Sequence, residues 1–168
     1  IDEGYAARLL YTNPQIGNLP QQKVTVLREV VLHDMLFERL TFENFHNETV
    51  EFDFAISMQS DFADMFEVRS SVRKARGQSL PSLSRVDSDG AYTLTLAYMG
   101  LDNILRTSTL KFQAAAGEKP LYGYFTGDTL TLEFELASQK STSFTCQVTT
   151  TGGATARPDV EKLSQELS

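Results

Sequence analysis

Acidic and basic side chains concentrate in residues 60–77 of the 168-residue chain. Three acids come first and four bases follow: Asp61, Asp64 and Glu67, then Arg69, Arg73, Lys74 and Arg76. Two carboxylates about 5–10 Å apart can hydrolyse a glycosidic bond, so Asp61 with Asp64 or Glu67 is one candidate catalytic pair. The neighbouring arginines disfavour that chemistry, because they lower carboxylate pKa values and a general acid needs a raised one.

The same charges have two other interpretations. The three acids can pair with Arg69, Arg73 and Arg76 and so hold a long connection between strands, as exposed ion pairs commonly do. The arginines can also reach a neighbouring domain, because a guanidinium grips carboxylates and carbonyls through a planar fork. We predict that these six residues contact a neighbouring domain and that residues 60–77 are partly exposed.

Three aromatic residues in the turn-rich stretch 117–128 form a second candidate site: Tyr122, Tyr124 and Phe125. Their rings could stack on a sugar, which would make the domain a carbohydrate-binding module. The chain has no tryptophan, which disfavours such a site. Aromatic clusters near strand ends also complete cores or interfaces, and the sequence leaves this alternative open.

The overall composition restricts the class of protein. Hydrophobic residues make up 41% of the chain and charged residues 22%, as is typical of a folded globular domain. The net charge of −7 disfavours nucleic acid or an anionic membrane as the main partner. No apolar run approaches the ~20 residues that a membrane-spanning helix needs.

The sequence predicts neither a metal site nor a cofactor. Cys146 is the only cysteine, so it can form neither an internal disulfide nor a cysteine-based metal site. His33 and His46 lie thirteen residues apart and have no ligand spacing around them. Since a single cysteine is compatible with a reducing compartment, we expect a cytoplasmic protein.

Alternation of apolar and polar residues predicts most of the secondary structure. In the clearest case, Val50, Phe52, Phe54 and Ile56 share one face of a strand. Strands are predicted at 5–12, 22–32, 36–44, 50–58, 92–98, 103–113, 129–137 and 144–148. About nine short strands, each with one buried face, predict an all-β fold, an antiparallel β-sandwich of two packed sheets.

One internal segment departs from this period. Phe62, Met65 and Phe66 are spaced as on one helical turn and predict a short helical excursion near 61–68. Ser60 or Asp61 could cap it, and Asp64 would then lie in its first turn.

The end of the chain also departs from the strand period. Residues 152–158 have the composition of a linker, and 159–167 predict a short polar helix. We therefore expect a β-sandwich domain at 1–151, followed at 152–168 by a linker and helix that lead to a catalytic domain outside this chain.

Three motifs resemble one known family. The run DFADMFEVRSSVRKARG at 61–77 is similar to a motif in the N-terminal domain of bacterial glycogen debranching enzymes, also called amylo-α-1,6-glucosidase-like proteins. Tyr98 to Asp102 followed by Arg106, and ERLTFENF at 38–45, are weaker matches. The sequence departs from the family pattern at Ser70, where glycine is usual.

The resemblance implies a fold and a role. It implies a β-sandwich that packs against a following (α/α) barrel in which catalysis takes place, so this chain alone would be non-catalytic. It also implies an α-glucan as a ligand of the parent enzyme. The family pattern includes a further N-terminal strand with an Asp-Thr-Arg motif, which this sequence lacks, and we expect the domain to be truncated at its start.

Overall fold

The computed structural model describes residues 5–32 and 35–152. These residues form ten strands and one short helical turn. In chain order the elements are β1 (Tyr5–Thr12), β2 (Val24–Leu32), β3 (Leu36–Asn44), β4 (Val50–Ser57), α1 (Met65–Val68), β5 (Gln78–Val86), β6 (Tyr92–Met99), β7 (Leu105–Ala114), β8 (Gly123–Thr126), β9 (Thr129–Leu136) and β10 (Ser141–Thr151).

The strands form two antiparallel sheets of unequal width. The large sheet has seven strands in the order β1-β2-β3-β10-β7-β6-β5, and the small sheet has three in the order β4-β9-β8. The last strand, β10, lies in the middle of the large sheet and pairs with β3 on one side and β7 on the other. The fold class, an antiparallel β-sandwich, is confirmed.

The core lies between the facing sides of the two sheets. Phe42, Phe112 and Phe144 of the large sheet are almost fully buried, as are Leu130 and Leu132 of β9. Aromatic rings in the core pack edge-to-face or stacked, which are arrangements that the quadrupoles of the rings favour. Alternation along each strand places these residues on one face, as the sequence period predicts.

The small sheet covers only part of the large one. Strand β4 lies over β3, where Phe42 is 5.5 Å from Phe52 between ring centroids. Strand β8 lies over β6, where Tyr92 is 6.1 Å from Phe125. The inner side of β1 and the adjoining part of β2 therefore extend beyond β4.

A buried asparagine joins the two sheets at one end of the sandwich. Asn44, at the end of β3, is fully buried. Its side-chain amide donates to the carbonyl oxygens of Glu48 and Leu136, each at 2.9 Å, and its oxygen accepts from the N–H of His46 at 2.7 Å. The turn from β3 to β4 is thus tied to the end of β9.

The predicted strands agree with the structure, and two strands were missed. Strand β5 contains Pro81 and three serines, and its register shifts between Leu80 and Leu83, so it shows no clean alternation. Strand β8 has only four residues and follows a turn-rich stretch. Both are edge strands, which carry a weak pattern because one side makes no ladder.

The helical turn at α1 is shorter than the predicted excursion. It begins at Met65, and its N-cap is Asp64 rather than Ser60 or Asp61. Phe62 lies outside it with a φ of 47°. The linker and helix expected at 152–168 lie, apart from Gly152, outside the described residues. No helix in the described part of the chain is long and apolar enough to cross a membrane.

Candidate functional site

The helical turn α1 is fixed by a reciprocal pair of caps. The Asp64 carboxylate accepts from the backbone N–H groups of Phe66 at 2.9 Å and Glu67 at 2.8 Å. The Glu67 carboxylate accepts from the Asp64 N–H at 3.0 Å. This capping box satisfies donors that the start of a helix leaves unpaired. Two of the three predicted acids therefore shape the backbone of the segment.

Two arginines of residues 60–77 form ion pairs with these acids. Arg73 forms an ion pair with Asp64, and its Nη2 lies 3.0 Å from Glu67 Oε2. Arg76 Nε lies 3.3 Å from Glu67 Oε1, and Arg76 Nη2 donates to the backbone oxygen of Asp61 at 2.6 Å. Asp64, Glu67, Arg73 and Arg76 thus form one network at the surface.

The other two predicted charges lie apart from that network. The Asp61 carboxylate accepts only locally, from the Ala63 N–H at 2.9 Å. Arg69 follows α1, is exposed, and forms no ion pair with the residues that the structure describes. Its guanidinium is therefore the one most open to a partner.

These contacts set the electrostatics of the segment. Hydrogen bonds from the Glu67 backbone and from Arg73 lower the pKa of Asp64 below its ordinary value. The hydrogen bond to Asp64 raises the pKa of Arg73. Asp64 is therefore ionised at neutral pH and cannot serve as a general acid, which needs a raised pKa.

The segment is anchored on β6 at both of its ends. Near its start, the Phe62 ring stacks on Tyr98, with centroids 5.3 Å apart and an interplanar angle of 14°. At its end, the Gly77 N–H donates to the Tyr98 hydroxyl at 2.6 Å. A Cβ at Gly77 would overlap the Met99 carbonyl oxygen, so the close approach requires glycine.

Ser70, where the family usually has glycine, has a φ of 72°. Left-handed backbone of this kind favours glycine, because a Cβ crowds the neighbouring carbonyl. The family preference for glycine at this position therefore has a backbone explanation.

A second ion pair lies beside the first, in the turn from β6 to β7. Arg106 Nη1 and Nη2 donate to the two oxygens of Asp102 at 3.0 and 2.7 Å. Arg106 lowers the pKa of Asp102. The fork passes over Gly100, where a Cβ would collide with both side chains. The sequence pattern had only linked Asp102 and Arg106 to a family motif, since their approach to residues 60–77 depends on the strand order.

The two ion pairs line one open cleft of about 610 Å³. Its walls include Phe62, Asp64 and Arg73 from one segment and Tyr98, Asp102 and Arg106 from the other. Hydroxyls of β7 and β10 complete it, from Thr107, Ser108, Thr150 and Thr151. We call this surface the ion-pair cleft.

The two segments that supply the ion pairs of the cleft also carry large apolar side chains that face solvent, and one of them, Leu101, lines the cleft itself. They are Met65, Phe66, Val68, Val72 and Leu101. Val72 is 94% exposed, and none of the residues of α1 is buried. Exposed apolar residues scattered singly are normal, but a group around one cleft is typical of an interaction surface.

The three candidate sugar-stacking residues are divided between two faces of the small sheet. Tyr122 and Tyr124 are 66% and 50% exposed on the outer face. Phe125 points inward, where its ring packs 6.1 Å from Tyr92 and contributes to the core. Phe125 therefore takes the core alternative that the sequence left open, because neighbouring strand residues point to opposite faces, and sugar stacking by Tyr122 and Tyr124 stays a prediction.

His46 and the carboxylates do not form a metal site in the part of the chain that the structure describes. His46 uses its Nδ1 to accept from the Glu48 N–H at 3.2 Å. Within 5–32 and 35–152, no three His, Cys, Asp or Glu side chains are grouped as a metal site requires.

Comparison with known proteins identifies the family. No curated protein matches the chain. A solved structure described as a putative kojibiose phosphorylase from human microbiome matches 98% of this chain, with 10% sequence identity and a TM-score of 0.49. The matched region is 20% of that longer chain. A family model, "N-terminal domain of (some) glycogen debranching enzymes", matches residues 1–147, and the chain belongs to that family.

Proposed function

We propose that this chain is a non-catalytic accessory domain of a debranching-type glycoside hydrolase. In this proposal it packs against a following (α/α) barrel through the ion-pair cleft and helps to shape the barrel's active site. The observation that carries the proposal is the group of exposed apolar side chains around a fixed network of charges. A cytoplasmic location fits a single free, buried cysteine.

The composition of the surface supports a protein partner. Aromatic residues, methionine and arginine are enriched at interfaces, and this surface offers Phe66, Met65 and the exposed Arg69. Arg73 and Arg106 are already held by carboxylates, so docking would cost little additional side-chain entropy. Local pairing and an interface role, which the sequence offered as alternatives, are therefore compatible here.

A catalytic role for the segment is disfavoured by its electrostatics. Its acids are engaged by backbone N–H groups and arginines, and the pKa of Asp64 is lowered. A glycoside hydrolase needs one carboxyl group that stays protonated near its working pH. The proposal therefore assigns catalysis to the barrel.

The test is a titration of the chain with the separately expressed following region of the parent polypeptide. We expect saturable binding, weakened at least tenfold by Phe66→Ala or Val72→Asp, since the loss of a central interface anchor costs about 2 kcal/mol or more and tenfold corresponds to about 1.4 kcal/mol. Val86→Asp is the matched control, because Val86 is an exposed valine on β5 away from the cleft. Equal effects of Val72→Asp and Val86→Asp would contradict the proposal.

A carbohydrate-binding module for α-glucans is the second candidate. The exposure of Tyr122 and Tyr124 on one face favours it, because an exposed ring can stack on a pyranose. Calorimetric titration with maltooligosaccharides and a branched α-1,6-linked glucan tests it. Saturable heat that is lost in Tyr124→Ala and kept in Tyr5→Ala, which alters another exposed tyrosine, would support sugar binding. Flat titrations of the folded protein would exclude it at the concentrations used.

A further inference from the structure

Within residues 5–32 and 35–152, nothing covers the inner face of the large sheet beyond β4. The register from β1 to β3 places Tyr5, Leu9, Tyr11 and Leu32 on the same side as the buried Phe42. All four are nevertheless exposed, and Tyr5 is 76% exposed. Apolar residues thus continue the core-facing surface into solvent, where a group of them marks a binding surface.

The strand beside this surface has incompletely buried inward residues. Ile56 and Phe54 of β4 are directly opposite Leu130 and Leu132 of β9. Both leucines are 0% exposed, whereas Ile56 and Phe54 are only half-buried. Burial therefore decreases across the small sheet toward its β4 edge, as it would if a neighbour on that side were missing.

Among the described residues, no strand pairs with the outer side of the β4 backbone. Met58 N–H donates to the Asp128 carbonyl at 3.0 Å, and bonding alternates along an antiparallel pair. Phe52, Phe54 and Ile56 therefore bond to β9. Residues of the opposite parity direct their N–H and C=O groups away from β9: Glu51, Asp53, Ala55 and Ser57. β4 is an edge strand of its sheet.

The outer face beside this edge has an excess of negative charge. Glu51 is directly opposite Glu135, and Asp53 is directly opposite Glu133. Like charges opposite each other on neighbouring strands are destabilising. A strand added to β4 would place its own outer side chains opposite Glu51 and Asp53, where lysine or arginine would relieve the repulsion.

The charged residues on the uncovered inner face are already neutralised. Arg28 Nε and Nη2 donate to the two oxygens of Glu38 at 2.6 and 3.1 Å. Glu38 raises the pKa of Arg28 through this hydrogen bond. A guanidinium that is paired with a carboxylate can be buried under another strand at a far lower free-energy cost than an isolated charge.

We propose that the β4 edge takes up a further β-strand from the longer polypeptide to which this domain belongs. That strand pairs antiparallel or parallel with Glu51–Ser57 and lies over β2 and β1. It carries alternating apolar residues, which cover Tyr5, Leu9 and Leu32, and basic residues, which face Glu51 and Asp53. The small sheet then has at least four strands, and the sandwich closes over its open side.

The source is assigned to the same polypeptide because the chain is one domain of a larger kind of enzyme. A strand within the same polypeptide avoids the entropy of bringing two molecules together. This inference does not rest on the ion-pair cleft, which lies at the end of β6 and uses other residues. The two proposals can therefore fail independently.

The probe is a soluble eight-residue peptide that alternates valine with lysine and threonine. It is titrated into the 168-residue chain while amide exchange is followed residue by residue by NMR. We expect saturable binding with slowed exchange at Asp53, Ala55 and the other outward-bonding amides of β4. A peptide with glutamate in place of lysine should bind at least tenfold more weakly, and added salt should reduce this difference.

Variants of β4 distinguish strand pairing from nonspecific binding of the peptide. Ala55→Pro removes an N–H that makes no bond to β9, so the sandwich should fold while peptide binding is lost. Ala55→Val keeps that N–H and should bind as the parent does. If Ala55→Pro does not fold, the double variant Glu51→Lys/Asp53→Lys replaces it and should prefer the glutamate peptide.

Four results would overturn the inference. The peptide could leave β4 unprotected, or protect β1 or β8 instead. A scrambled peptide without alternation could bind equally well. The chain could form a dimer in which β4 is already protected, which would make a second copy the occupant. Deleting residues 153–168 could expose β4 amides that were protected before, which would make this chain its own partner.

Discussion

Tyr98→Phe should loosen residues 60–77 without unfolding the sandwich. The change removes the hydroxyl that accepts from the Gly77 N–H at 2.6 Å, and it keeps the ring that stacks on Phe62. Leaving a partly buried N–H unpaired costs about 1–2 kcal/mol. If this cost falls on local opening of the segment, the open population rises about 5- to 30-fold.

Limited trypsin digestion measures that population directly. Arg69 and Lys74 are exposed and lie within the segment, so cleavage there reports its opening when closing is faster than cleavage. Tyr92→Phe is a matched control, because the Tyr92 hydroxyl also bonds to a distant backbone group, donating to the Gly123 carbonyl at 3.1 Å, but does not touch the segment. Only Tyr98→Phe should accelerate cleavage in residues 60–77.

Two outcomes would refute the reasoning. If Tyr98→Phe and Tyr92→Phe accelerate cleavage equally, the effect is a general loss of stability. If Tyr98→Phe leaves the cleavage rate unchanged, the hydroxyl does not anchor the segment, and the ion pairs and the stacking of Phe62 on residue 98 are sufficient to hold it.

Three further predictions concern stability and reactivity. Asn44→Ala should lower the free energy of unfolding by about 3 kcal/mol in chemical denaturation, since three buried hydrogen bonds are lost at about 1 kcal/mol each; a loss below about 1 kcal/mol would contradict this. Burial raises the pKa of the Cys146 thiol to about 12 from 9.0. Labelling of this thiol should therefore be roughly 1000-fold slower in the native protein than in denaturant. Fast labelling of the native protein would contradict the buried position. The lowered pKa of Asp64 stabilises the fold above the unfolded pKa of about 3.9, and this contribution is lost as the pH falls through the folded pKa. Asp64→Asn should therefore lose less stability than the parent between about pH 5 and pH 2. Identical pH profiles of the two proteins would show that Asp64 contributes nothing.

The sandwich was predictable because half-buried strands alternate visibly. Phe52 and Phe54 already indicate which face of β4 is buried, and the register confirms it. Strand β5 was not predictable in the same way, because Pro81 lies where the register shifts. The alternation also indicates that Tyr5 and Leu9 face the core side, yet it cannot show what covers them, since coverage depends on the width of the opposite sheet.

The clustering of charges in residues 60–77 was predictable, whereas its geometry was not. The sequence pattern brings Asp64, Glu67 and Arg73 together because they are close along the chain. Asp102 and Arg106 join them only through the strand order. Phe62 was predicted on a helical face, but its φ of 47° turns it onto Tyr98 instead. Long-range packing decided both cases.

The central position of β10 has a consequence for folding during synthesis. Before β10 is made, the large sheet consists of two separate meanders, β1 to β3 and β5 to β7, with no strand between them. Because synthesis adds about 5–20 residues per second, β3 and β7 each have a free edge for several seconds before β10 is made. The domain therefore depends on β10 to complete a cooperative unit. Loss of that strand should expose two strand edges that can aggregate, and not merely lower the stability of the sandwich.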